Sequence, residues 1–146
     1  MMAVNKRGIS LREGKVYLEG KVVAEAATFK LVFTPETVEY RVLGEHGKNR
    51  RWLGFDITGS MEEWKSTKWL TEKIQKYKKT GETPEFTIQG YRCDKNSDFY
   101  DKTKKPETVT ATGCVLTGDL TLMDLDTEGQ LVKQSISFGA KDCSMA

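Results

Sequence analysis

FKLVFTPETVEYRVLGEHGKNRRWLGFDIT, running from Phe29 to Thr58, holds three alternating patterns broken by one charged, glycine-rich tip. Apolar residues recur at every second position in Phe29, Leu31 and Phe33, again in Val38, Tyr40 and Val42, and again in Leu53, Phe55 and Ile57. Between them fall Lys30, Thr34, Thr37, Glu39, Arg41, Asp56 and Thr58. Successive strand side chains point to opposite faces, so this pattern predicts strands with one apolar and one polar face. The charged, glycine-rich tip Gly44-Glu45-His46-Gly47-Lys48-Asn49-Arg50-Arg51 makes the stretch a long extended hairpin. Pro35 lacks an amide proton and predicts a corner between strands 29–34 and 37–43, where the chain passes from one sheet to another.

Working outward, the 146 residues fit a single domain, 1–146, and a chain of this size can bury roughly 70% of the surface it exposes when unfolded. With 38% hydrophobic and 30% charged residues, the composition is that of a folded domain rather than a disordered chain. A formal net charge of +2 is too small to announce a nucleic-acid binder. No apolar run approaches the roughly 20 residues that span a bilayer, and Lys6 and Arg7 are not followed by the apolar segment of a secretory signal. Membrane insertion is therefore not expected, and cytoplasmic synthesis is.

Residues 1–12 read as a polar N-terminal arm. Val16 to Ala24 reads as a tight hairpin with Gly20 supplying a positive φ. Ser60 and Glu63 form a capping-box pattern, which predicts a helix from Met61 to Lys79 with an apolar stripe of Trp64, Thr67, Leu70, Ile74 and Tyr77. Lys78 and Lys79 suit its negative end, and Gly81 stops it. Strands follow at Phe86 to Cys93, Thr108 to Thr117 and Leu131 to Phe138, with a polar loop at 94–107, a short apolar run at Leu120 to Leu125, and a free C-terminal tail at 139–146. The predicted class is mainly β: two packed antiparallel sheets, sandwich-like or barrel-like, with one flanking helix.

Candidate chemistry is sparse. Asp94-Lys95-Asn96-Ser97-Asp98 opens like a calcium loop, but Phe99 stands where glycine is needed and Lys105 where a bidentate glutamate is needed. Cys93, Cys114 and Cys143 are an odd set whose spacing suits neither zinc nor a disulfide framework, and they read as reduced thiols. His46 is the only histidine, and no nucleophile elbow, phosphate loop, dinucleotide fingerprint or HExxH is present. No catalytic, cofactor-binding or metal-ligating residues are assigned, and the chain does not read as an enzyme. Lys48, Arg50 and Arg51 beside Trp52 leave open a small β-barrel nucleic-acid-binding module. The bland reading of that tip is a solvated hairpin end, and a third is subunit contact. Asp119, Asp124, Asp126 and Glu128 form an acidic patch able to meet a basic surface of a neighbouring copy.

The segment Arg12-Glu13-Gly14-Lys15-Val16-Tyr17-Leu18-Glu19-Gly20, the hairpin with its charged tip, the capped stretch after Thr58-Gly59-Ser60, and Leu122-Met123-Asp124-Leu125-Asp126 together resemble the tail tube proteins of contractile-tailed phages. The likeness is greatest to those of defective prophages and phage-tail-like bacteriocins of Gram-positive bacteria. It covers nearly the whole chain and rests on layout rather than on a catalytic motif. The resemblance implies a structural protomer that forms hexameric rings, stacked helically into a hollow tube inside a sheath. It also implies assembly in the bacterial host cytoplasm and a place in the tail of a virion or released particle. Implied partners are other copies, the tail sheath protein, and the initiator or baseplate and terminator proteins, with DNA or ions passing through the lumen. The polar hairpin face then becomes the lumen wall, with Lys30, Thr34, Glu39, Arg41, Asp56 and Thr58 as its residues. Contacts between subunits or rings fall to Lys48, Arg50, Arg51, Trp52, Asp98, Asp101, Asp124 and Asp126. The polar parity of the hairpin is thus expected to face a channel while its apolar parity holds the subunit together.

Overall fold

The computed structural model describes residues 12, 14–22, 26–64, 68–95, 106–123 and 125–145. The expected N-terminal arm lies outside these apart from Arg12, as does the loop at 96–105. In chain order the elements are β1 (Gly14–Leu18), β2 (Lys21–Val22), β3 (Ala26–Tyr40), β4 (Asn49–Trp64), α1 (Trp69–Thr80), β5 (Phe86–Arg92), β6 (Glu107–Thr117), β7 (Lys133–Ala140) and β8 (Asp142–Met145). The mainly β class with one helix is as expected, but the strands are not split between two sheets. They form one continuous antiparallel sheet in the order β2-β1-β5-β6-β7-β4-β3, with β8 also paired to β6.

The β1–β2 connection is the predicted tight turn, with Glu19 (φ 51) and Gly20 (φ 84) both in the left-handed region. Such a two-residue turn matches the natural twist of the flanking strands.

Strand β6 makes one sheet enclose a core. It pairs with β5 along one edge, and along the other first with β8 and then with β7. The pairs Val115↔Gly139 and Thr112↔Asp142 keep one register, so β7 and β8 are a single strand kinked at Lys141. Opposite the kink, Gly113 has φ +63, and a Cβ there would lie 3.0 Å from Lys141 Cβ. The Lys141 amide donates to the Thr112 carbonyl at 3.1 Å. A glycine corner of this kind lets a strand bend sharply, and the sheet folds back over itself. Phe29 of β3 consequently reaches β5, where a Cβ on Gly90 would sit 2.7 Å from its ring. Enclosed between the two halves are Val16, Met61, Phe86, Ile88, Ala111, Cys114, Ile136 and Phe138. Each half of the sheet has one apolar face that needs covering, and curling supplies the second layer that two separate sheets were expected to give.

Three further expectations are corrected. The helix starts at Trp69 rather than Met61, because Ser60 to Trp64 belong to β4 and pair with Ser137 to Lys133 of β7. Glu63, read as a capping residue, is buried there; its Oε1 accepts hydrogen bonds from Trp69 Nε1 at 2.7 Å and Gln134 Nε2 at 3.1 Å. Those bonds tie the strand to the helix that follows it. The start of α1 has no side-chain cap at Lys68, whereas its end is as predicted, with Gly81 left-handed and donating to the Tyr77 carbonyl. Leu70 is buried and Ile74 packs beside it, but Tyr77 is half-exposed and Trp64 lies in β4 under Lys133. The expected free tail instead supplies the end of β7 and all of β8. Finally, β3 runs straight through Pro35 without a corner. It is the last strand of the sheet, and an edge position tolerates the missing donor.

Candidate assembly surface

Strand β7 leaves β4 at the pair Ile57↔Ala140. Beyond that point residues 33–40 and 49–56 continue alone as a two-stranded arm, about 26 Å long at the usual rise per residue. Along the arm the register shifts from Glu36↔Gly54 to Thr37↔Trp52, leaving Leu53 as an extra residue. This bulge reverses parity on β4, so Trp52 joins the face that already carries Phe33 and Phe55. Their rings form a chain, with Phe33–Phe55 centroids 5.3 Å apart and Phe33–Trp52 centroids 5.8 Å apart. All three remain open to solvent, at 44% for Phe33, 63% for Trp52 and 51% for Phe55. The face that buries Met61 and Ile57 at the root of the hairpin is therefore uncovered on the arm. The apolar residues expected to hold the subunit together do so only in its root.

Further out on the aromatic face, Glu39 accepts both Lys48 at 3.3 Å and Arg50 at 3.4 Å. Such exposed pairs contribute at most about 1 kcal/mol each, but they fix geometry: two cations share one carboxylate. Arg51 is on the opposite face, paired across from Val38. At the tip, Asn49 Nδ2 donates to Glu45 Oε2 at 3.0 Å and the Glu45 amide to the Val42 carbonyl at 3.0 Å.

The residues assigned to a polar wall divide. Lys30, Thr34, Asp56 and Thr58 share one face, fixed by Lys30↔Ser60, Val32↔Thr58 and Thr34↔Asp56. Glu39 belongs to the other face because β3 has no corner at Pro35, and Arg41 follows the end of β3. The ladder extends the first face onto β7 through Ser60↔Ser137 and Glu62↔Ser135, so hydroxyl groups dominate it.

Of the residues assigned to subunit contacts, Lys48, Arg50 and Trp52 gather on the aromatic face, Arg51 does not, and Asp126 belongs to a separate segment. Asp98, Asp101 and Asp124 lie outside the described residues. The segment joining β6 to β7 exposes apolar residues alongside its acids: Leu122, Met123, Leu125, Leu131 and Val132. Leu120 packs against the core and anchors one end, and Asp126 holds a turn through the Glu128 amide at 3.0 Å. The signal for the arm patch was present in the adjacent Trp52-Leu53, two consecutive large apolar residues in an alternating strand.

Among the described residues no group of histidine, cysteine or acidic side chains is placed to hold a metal ion, and no helix is long and apolar enough to cross a membrane. The three cysteines are free. Burial pushes the Cys114 thiol above its usual range, although a backbone hydrogen bond from Ile88 opposes the shift.

Comparison with known proteins bears on this geometry. Residues 2–146 match the family described as "Phage tail tube protein". The phage-like element PBSX protein XkdM of Bacillus subtilis (strain 168) is 25% identical over 134 residues, covering 92% of this chain and 87% of that protein. Among solved structures, a chain of the sheath/tube terminator of the PVC extracellular contractile injection system matches with TM-score 0.73 at 16% identity, covering 99% of each chain. A chain of the PVC sheath-tube complex in the extended state matches with TM-score 0.71 at 13% identity, covering 100% of this chain and 99% of that one. At such identities the structural likeness speaks to fold, and in these matches the sheet, the helix and the arm are spanned together.

Proposed function

We propose, from the premise that this chain belongs to the phage tail tube protein family, that it is the protomer of a tube built of hexameric rings stacked helically within a contractile sheath. As a tail tube component its role is structural rather than catalytic. The observation that carries the finer reading is the open sheet edges, β2 at one end and the 15-residue β3 at the other, together with an arm that none of the described residues covers. Open edges are a liability in a monomer and are removed when identical sheets close into a ring. Rings with two unlike faces can then continue to stack.

In this reading the face carrying Lys30, Thr34, Asp56 and Thr58 lines the lumen, with Ser60 and Ser137 beside them. That face also carries Glu36, Arg51, Glu62 and Lys133; mixed charge among hydroxyls would let a polyanion pass, whereas a basic lining would hold phosphate. Glu39 and Arg41 leave the lining set and join the contacts between copies, with Lys48, Arg50, Arg51, Trp52 and Asp126. Asp98, Asp101 and Asp124 stay in the contact set on their sequence positions alone. A sheath protein surrounds the tube, initiator or baseplate and terminator proteins bound its ends, and DNA or ions traverse it. Similar chains come from a sheath-tube complex and a sheath/tube terminator, which supports the sheath and terminator partners. Sharing of Glu39 by Lys48 and Arg50 leaves that face a single positive charge in excess, a weak hold on phosphate, which favours subunit contact over a nucleic-acid module.

Electron microscopy of the purified chain tests the reading. Six-fold rings or stacked tubes are expected, and a chain that stays monomeric at high concentration, alone and with a tail initiator complex, overturns it.

A further inference from the structure

We propose that the acidic, apolar segment between β6 and β7, residues 118–132, is the seat for the aromatic face of the arm of a second copy. The inference rests on the tube reading and adds which surface meets which.

Two of the exposed apolar surfaces among the described residues differ in shape and charge. The arm presents Phe33, Trp52 and Phe55 as stacked rings on a two-stranded ribbon. Isolated ribbons of two strands are marginal in water, and rings left half-open to solvent favour burial against an apolar partner. The segment presents Leu122, Met123, Leu125 and Leu131, each more than 60% exposed and held in irregular backbone. Methionine and leucine on such a backbone adapt to flat rings, the combination found where aromatic anchors fill a pocket.

Charge supplies the direction. From Gly118 to Val132 there are four acids, Asp119, Asp124, Asp126 and Glu128, and no lysine or arginine. At the outer end of the aromatic face, Lys48 and Arg50 share the single carboxylate Glu39, which leaves that face one positive charge in excess. Opposed potentials of this kind set orientation and discourage the two like pairings, arm on arm and seat on seat. Every copy carries one arm and one seat at different places on the sheet. Where the contact between these unlike patches is not reciprocated within one pair of copies it is heterologous, and it then propagates into a ring or a helical stack.

Benzoylphenylalanine at position 52 in the full chain gives a direct test. Irradiated assemblies are expected to show copy-to-copy crosslinks that peptide mass spectrometry maps into residues 118–132. Two charge variants test the pairing independently. Lys48→Glu with Arg50→Glu disables the arm, and Asp119→Lys with Glu128→Lys disables the seat while keeping the Asp126 turn. Each alone, with wild-type circular dichroism, should raise the concentration needed for assembly about tenfold or more. Mixed one to one they should assemble better than either alone, because an intact arm meets an intact seat in each mixed pair and the reversed arm and reversed seat again carry charges of opposite sign. A seat variant that assembles like wild type, a mixture that stays monomeric, or crosslinks mapping elsewhere overturns the seat while wild-type rings leave the tube reading standing. Wild-type chains that never assemble overturn both.

Discussion

The root and the arm of the β3–β4 hairpin are built from the same kind of sequence and meet opposite fates. At the root, Ile57 and Met61 are buried with Ile136 and Phe138 on the strand beside them, because β7 lies alongside and the curled sheet places β5 opposite. On the arm, Phe33 and Phe55 occupy the same face of the same strands and stay half-open, because β7 has turned away into β8. Alternation specifies that a face is apolar, not what covers it. The root is covered by its own chain, and the arm waits for another.

The largest expected effect breaks the root alone. Phe138 is 1% exposed and its ring meets Phe86 edge-on at 5.5 Å. Phe138→Ala should cost about 3–5 kcal/mol of stability in urea denaturation, through lost burial and the cavity left behind. A cost under about 1 kcal/mol would mean that the root is no better covered than the arm.

Next in size is the tie between the root and α1. Removing the Glu63 carboxylate leaves the Trp69 indole and the Gln134 amide without their shared acceptor. Glu63→Ala should cost about 1–3 kcal/mol and shift Trp69 fluorescence as the helix loosens. Unchanged fluorescence would remove Glu63 as the link that turns β4 into the helix.

Smaller still is the corner that turns β7 away from the arm. Gly113→Ala puts a Cβ at φ +63 against Lys141 and should cost about 1–2 kcal/mol. Amide hydrogen exchange should quicken in β8 before β7. A uniform increase would show that the kink does not separate the two strands.

How far the sequence carried these distinctions depends on range. The mainly β class, the turn at Glu19-Gly20, the stop at Gly81 and β6 were legible, because each is set by local φ preference or strict alternation. The helix start was misread because Ser60 and Glu63 satisfy a local capping pattern while their strand pairing with Ser137 and Gln134 is more than 70 residues away. The C-terminal strand was missed because Asp142 to Met145 is too short to show a period and is held by β6 across the Gly113 corner. Of the residues proposed for contacts between copies, Lys48, Arg50 and Trp52 share one face of the arm. The polar wall lost Glu39 to the straight run through Pro35, and the single bulge at Leu53 moved Trp52 across the sheet.

The smallest expected effect on stability sharpens the comparison most. Trp52→Ser together with Phe55→Ser removes two large aromatic side chains, which in a covered core would cost several kcal/mol. On the arm they stay more than half exposed and stack on Phe33, so the monomer should lose less than about 1 kcal/mol in urea denaturation. The same variant should fail to form rings by electron microscopy, since the area it deletes is area that only another copy can cover. A loss as large as that of Phe138→Ala would place the arm inside the monomer's cooperative unit. Wild-type assembly by the variant would mean instead that the exposed rings are surface decoration. Between these outcomes the arm is separable: dispensable to the folding of one chain and necessary to the joining of many.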